Sequence, residues 1–320
     1  MTAPVSSAAS RAAVCPGDPD TFALEMIKLI NDKEFSDIRF TVGEERQTIY
    51  AHKCLLAARC EVFRAMFATS EQAVTEDNEP DPLVLSEVQP NIFLALLEFI
   101  YTNCCSLSTD MVIDVLAASI EYGLDGLTKL CVRFMRESIA VDTVCEFTQA
   151  ALTYQQTTLQ EECLNFIDGN TEEVFKSQGF NELSEDALSF VLQSDQLQMD
   201  EEDILAKVTE WATVNSVSFV FASVPPVVQL RTNLQVVMGQ TLGEVAVKVI
   251  NHVRFGLLDP EKLSQIERDN QQKNFVPVPL ISAAWKFHAL KKVDVTDPQT
   301  RPRAGTVPRE SLRVVGLTPQ

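Results

Sequence analysis

Positive charge is scarce in this sequence. Among 320 residues, 26 Lys and Arg stand against 45 Asp and Glu, for a formal net charge of −19. A phosphate backbone recruits Lys and Arg, so the balance argues against a nucleic-acid surface. Histidine is rarer still, with only His52, His252 and His288, each isolated from the others. Zinc needs about four N or S ligands at compatible spacing. No such grouping exists, and none of the eight cysteines stands in a C-x-x-C pair. No apolar run reaches the roughly 20 residues of a membrane span, and Met1–Ala13 lacks the apolar stretch of a secretory signal. The G-x-S-x-G elbow, the Walker loop and H-E-x-x-H are all missing. The expectation is a protein that is not an enzyme, with no cofactor, no metal, no direct nucleic-acid contact and no membrane insertion.

What is present has the proportions of a globular protein, with 46% hydrophobic and 22% charged residues. The length suffices for two domains. Most cysteines lie inside apolar runs, where a free thiol behaves as a small hydrophobe. Free thiols imply a reducing setting, cytoplasmic and/or nuclear. The charge is uneven. Lys291–Gln320 holds six Lys/Arg against three Asp/Glu, a net +3 that leaves −22 on residues 1–290. An acidic body favours solubility and basic partners.

Periodicity divides the chain. Residues 1–19, with Pro4, Pro16, Gly17 and Pro19, read as a disordered N-terminus. Asp20 or Thr21 then caps a helix whose stripe is Phe22, Met26, Ile27, Leu29 and Ile30. Strands are expected at Asp37–Val42, Gln47–Ala51 and Leu83–Leu85, and helices at Lys53–Arg59, Glu61–Thr69, Pro90–Ile100, Asp110–Tyr122 and Asp125–Ser138. Residues 20–138 thus form an α+β domain, a small sheet flanked by helices. Residues 139–291 read as all-α, with helices that include Asp142–Thr153, Leu159–Ile167, Glu172–Ser177, Glu185–Gln193, Glu201–Val214, Glu244–Phe255, Pro260–Asn270 and Pro279–Leu290. Residues 216–243 interrupt them, apolar and β-branched without a helical period. A long structureless loop inside a compact domain is unusual. It is either a partner-binding insert or a segment foreign to the fold, from an alternative transcript or a gene-model error. Residues 292–320 read as a disordered basic tail, in which Arg303-x-x-Thr306 has the spacing of a basophilic kinase site.

Five ordered motifs resemble the BTB/POZ family. They are Phe35-Ser36-Asp37-Ile38, Ala51-His52-Lys53-Cys54-Leu55-Leu56-Ala57-Ala58-Arg59, Glu61-Val62-Phe63-Arg64-Ala65-Met66-Phe67, Leu97-Glu98-Phe99-Ile100-Tyr101-Thr102 and Ala117-Ala118-x-x-Glu121-Tyr122-Gly123-Leu124. Val141–Leu290 is similar to the BACK domain that often follows. The resemblance implies a non-enzymatic protein-protein interaction module that homodimerises. Its dimer interface would use Phe22, Met26 and Leu29 on the first helix, and Asp37 paired with Lys53. It also implies cullin-3 as a candidate partner, the chain serving as a ubiquitin-ligase substrate adaptor with an unknown protein substrate. The contact residues would be Phe63, Met66, Val74 and Glu76, although Val74-x-Glu76 is displaced from the family's position. The alternative is a cullin-independent dimeric scaffold or a transcriptional cofactor. His52, His252 and His288 are expected to be structural, and Cys104-Cys105 to be inert.

Overall fold

The computed structural model of the chain describes residues 17–69, 82–217, 242–290, 297–307 and 309. The chain divides into two compact units, Met1–Leu130 and Cys131–Gln320.

The first unit opens with α1 (Pro19–Met26), which continues as a 3-10 turn over Ile27–Leu29. Asp18 caps it, its carboxylate accepting the Thr21 N–H at 3.1 Å. The cap therefore precedes both Asp20 and Thr21, because Pro19 takes the first helical position, where its missing N–H costs nothing. Strands β1 (Ile38–Val42) and β2 (Gln47–Ala51) pair antiparallel, with Phe40 opposite Ile49. β3 (Leu83–Leu85) joins β1 in parallel, giving the order β2-β1-β3. Alternation in β1 sends Ile38, Phe40 and Val42 inward and leaves Arg39 and Thr41 half-buried. The β1–β2 turn starts at Gly43, which has φ +72° and donates its N–H to Leu85 O at 2.9 Å.

Helices α2 (Lys53–Arg59), α3 (Glu61–Thr69), α4 (Pro90–Thr102) and α5 (Val112–Glu121) surround the sheet. α4 starts on Pro90 and stops at Asn103, which turns to φ +61° while its N–H still reaches Phe99 O. Gly123, at φ +65°, closes α5 in the same way. Phe40, Phe63, Phe93 and Tyr122 form the aromatic core, with ring centroids 5.0–6.3 Å apart. α6 (Asp125–Glu137) follows. The division between the units falls inside it, at 130/131.

The second unit is helical. α7 (Val144–Thr153), α8 (Thr157–Gly169), α9 (Thr171–Val174), α10 (Gln178–Asn181), α11 (Glu185–Leu192) and α12 (Glu201–Val217) lead to α13 (Leu242–Val245), α14 (Pro260–Lys273) and α15 (Val278–Leu290). Asp142 is not the cap of α7. That helix starts after a turn in which Thr143 Oγ1 accepts the Ala140 N–H at 3.0 Å. Phe147, Phe175 and Phe180 fill the core, and Trp211 Nε1 donates to Leu183 O at 2.9 Å. Of the interrupting segment 216–243, residues 218–241 lie outside the described residues.

Two expectations for this unit need correction. Glu244–Phe255 is not one helix. It breaks into α13, a 3-10 turn over Val249–His252 and another over Phe255–Leu257. Val245, Val247, Val249, Ile250 and Val253 are β-branched and propagate a helix poorly. The Arg254 N–H is moreover drawn to the Glu201 carboxylate at 2.6 Å. Nor is the region after Lys292 simply a disordered tail. Residues 297–307 and 309 pack against the second unit, with Thr300 and Arg303 buried.

Candidate protein-interaction site

Two groups of residues stand out, one in each unit. In the first unit α1 runs beside α4, yet none of its residues is buried. Phe22 is 56%, Leu24 67% and Ile27 44% exposed. Met26 and Leu29 are half-buried. An isolated helix of eight residues is marginal in water, and its apolar face here lacks a cover within the described residues of one chain.

Asp37 and Lys53 do meet. The Asp37 carboxylate accepts the Lys53 backbone N–H at 2.7 Å and so satisfies an orphan donor at the start of α2. This hydrogen bond anchors strand to helix through the main chain. His52 is tied into the same corner. Tyr101 Oη accepts its backbone N–H at 2.9 Å and lies 3.0 Å from its Nδ1. Burial pushes the Tyr101 phenol up to about 12.

Of the expected cullin-contact residues, Val74 and Glu76 lie outside the described residues. Phe63 is fully buried among Phe40, Phe93 and Tyr122, so it belongs to the core and cannot meet a partner. Its place in the motif reflects helix packing. Met66 stays half-buried and Val62 is 38% exposed on the outer side of α3. Burial, with Glu98 and Cys104 adding, pushes the Cys105 thiol up to about 12, which favours the protonated form.

The second unit contains a charged assembly absent from the sequence-based expectations. Glu201, at the start of α12, and Arg303 are both 0% exposed and pair at 3.0 Å. The guanidinium also donates to Leu192 O, Ser194 O and His252 O. Arg254 and Arg301 share Asp195, at 2.5 and 2.6 Å. Burial acts to raise the Asp195 carboxyl, but hydrogen bonds from Arg301 and Arg254 outweigh it and hold the group below its usual range. Arg309 contacts Asp200, Glu202 and Asp259. The signal for this cluster was the charge split itself, a basic C-terminal stretch against an acidic run at Asp200-Glu201-Glu202-Asp203.

Two imidazoles in this unit give it a pH response. Burial lowers His252 and His288 from the ordinary 6.5, and the nearby Arg303 charge adds to the effect at His252. The unfolded chain takes up protons as pH falls through about 6.5, whereas the folded rings resist until lower pH. Stability is therefore full above that value and declines below it. Both tryptophans, Trp211 and Trp285, lie in the second unit, so their fluorescence reports on it alone. Its thermal midpoint should fall between about pH 7.5 and about pH 5.5, and His252→Gln should flatten that fall.

Among the described residues no group of His, Cys, Asp and Glu could hold a metal ion, and no helix is long and apolar enough to cross a membrane.

With this geometry in view, comparison with known proteins gives a consistent answer. The BTB/POZ domain model matches residues 26–139, and the model for the BACK domain (BTB And C-terminal Kelch) matches residues 144–224. The chain belongs to the BTB/POZ–BACK family, and its domains are those of a protein-interaction module. It is 38% identical over 306 residues to BTB/POZ domain-containing protein 19 of Homo sapiens, covering 95% of this chain and 97% of that one. The Bos taurus protein of that name is 37% identical over 305 residues, with the same coverage. BTB/POZ domain-containing protein 9 of Drosophila melanogaster is 32% identical over 274 residues, covering 83% of this chain and 34% of that one. The BACK match stops at residue 224, so α13–α15 and the ion-paired C-terminal stretch lie beyond it.

Proposed function

We propose that the chain works as a homodimer that brings other proteins together, with α1 as the element that joins the two copies. The observation that carries this reading is the uncovered apolar face of Phe22, Leu24 and Ile27. Each side chain is already partly covered, so covering the rest contributes about 1 kcal/mol, and a two-fold contact counts every residue twice. Asp37 supports the interface from within by fixing the start of α2. The reducing cytoplasm or nucleus suits the seven described cysteines, all free thiols. Sedimentation of the full chain at about 20 μM should give a dimer, and Phe22→Asp with Ile27→Asp a folded monomer. A monomeric unsubstituted chain, or a variant that still dimerises, would sink the reading.

A second reading, adaptor for a cullin-3 ubiquitin ligase, is favoured by Val62 and Met66, which remain accessible on α3. Co-precipitation of the full chain with cullin-3 should succeed and be lost with Met66→Asp. No capture by the unsubstituted chain leaves the dimeric scaffold or the transcriptional cofactor.

A further inference from the structure

The stretch from Arg301 to Arg309 lies along the second unit as a peptide lies in a groove. Its main chain is bound as well as its side chains. The Ala304 N–H reaches Asp195 O at 2.9 Å, and the Gly305 N–H reaches Leu197 O at 3.0 Å. The Val307 N–H reaches the Asp200 carboxylate at 3.0 Å. A turn fixes the middle, with Thr306 Oγ1 accepting the Arg303 N–H at 2.8 Å. Between 301 and 309 only Arg303 is buried among the described residues, while Arg301, Ala304 and Val307 are exposed. Charge and backbone hydrogen bonds hold this strap, and apolar burial contributes little. That is the chemistry of a bound peptide segment and differs from that of a core element.

The groove also dictates what can occupy it. Glu201 is fully buried, and a buried carboxylate without a cation is costly, so the occupant must supply one. One carboxylate and three carbonyls face that cation in different directions, which suits the planar fork of arginine and not the point charge of lysine. Two residues on, a Cβ at Gly305 would lie 2.1 Å from Met199 N and 2.4 Å from Gln198 C, so any side chain there collides with main chain. Farther along, Asp200, Glu202 and Asp259 receive a second arginine.

We propose that this acidic cleft is a binding site for Arg-x-Gly segments of partner proteins that turn as Arg303–Thr306 does, and that residues 301–309 occupy it as an internal stand-in. The partner is a basic peptide with arginine two residues before a glycine held in a turn, and a second arginine downstream. The strap keeps the Glu201 carboxylate paired until a competing segment displaces it. This inference does not rest on the dimer or on cullin-3.

The test uses the full chain with a specific protease site placed within residues 291–296, so that the strap is cut yet starts in place. A fluorescent peptide of residues 297–311 is added, and its anisotropy is followed. The cut chain should bind it saturably, and the uncut chain about tenfold more weakly. Peptides carrying Arg303→Lys or Gly305→Ala should lose about tenfold or more, the scale of a lost charged hydrogen-bond set. As a second measurement, the intact Arg303→Ala chain should gain thermal stability when the unsubstituted peptide is added in excess. The proposal is overturned if the strap never exchanges, if its removal unfolds the second unit, if the Gly305→Ala peptide binds equally well, or if the Arg303→Ala chain gains nothing.

Discussion

Arg303→Ala should destabilise the second unit by about 3–5 kcal/mol, the range for removing one partner of a buried ion pair. The substitution strips Glu201 of its cation in a position that water does not reach. The Arg254 N–H still reaches that carboxylate but brings no formal charge. Three carbonyls, those of Leu192, Ser194 and His252, lose a donor at the same time. Arg303→Lys should recover only part of the loss, because an ammonium cannot serve all four acceptors at once. Arg303→Met combined with Glu201→Leu should recover much more, because removing both charges leaves neither one orphaned. Urea unfolding followed by tryptophan fluorescence measures all three. A loss below about 1 kcal/mol for Arg303→Ala would place the pair among solvated surface bridges.

Phe63→Ala should cost the first unit about 3–5 kcal/mol, as truncating a buried aromatic generally does. The ring is fully enclosed, and its removal takes the centre from the group of Phe40, Phe93 and Tyr122. Hydrogen exchange is the direct readout, since the amides of β1 and β2 should lose protection while those of α7 and α8 keep theirs. Phe63→Leu should recover part of the loss. Unchanged protection in Phe63→Ala would remove Phe63 from the core. A binding assay that uses Phe63→Ala measures folding, so contact with a partner must be probed at Met66 or Val62 instead.

The fold was legible where local pattern and tertiary demand agree. Ile38, Phe40 and Val42 alternate because one side of β1 faces the core, and that alternation is visible in the sequence. Pro90 and Gly123 mark helix ends for steric reasons that need no tertiary context. The exposed face of α1 was legible too, since Phe22 and Ile27 sit on an apolar stripe. Phe63 was misjudged because motif membership does not distinguish a contact from a core position. Glu244–Phe255 was misjudged because its capture by Glu201 is a long-range event. The strap was the largest miss. Its composition of Pro, Thr and Arg is that of a disordered segment, and what orders it is an acidic cleft about a hundred residues earlier in the chain.

The separation between Glu201 and Arg303 has a consequence for the order in which the protein is made. The two residues are 102 positions apart. A ribosome adding about 5–20 residues per second releases the carboxylate several seconds before the guanidinium exists. For that interval α12 carries a carboxylate whose burial has no cation to offset it, while α13, α14 and α15 are still being added. Chain length between the two partners matters little to their pairing, because the entropy of closure grows only logarithmically with the loop. The second unit can thus accept long intervening segments, residues 218–241 among them, and still be locked by one late-arriving arginine.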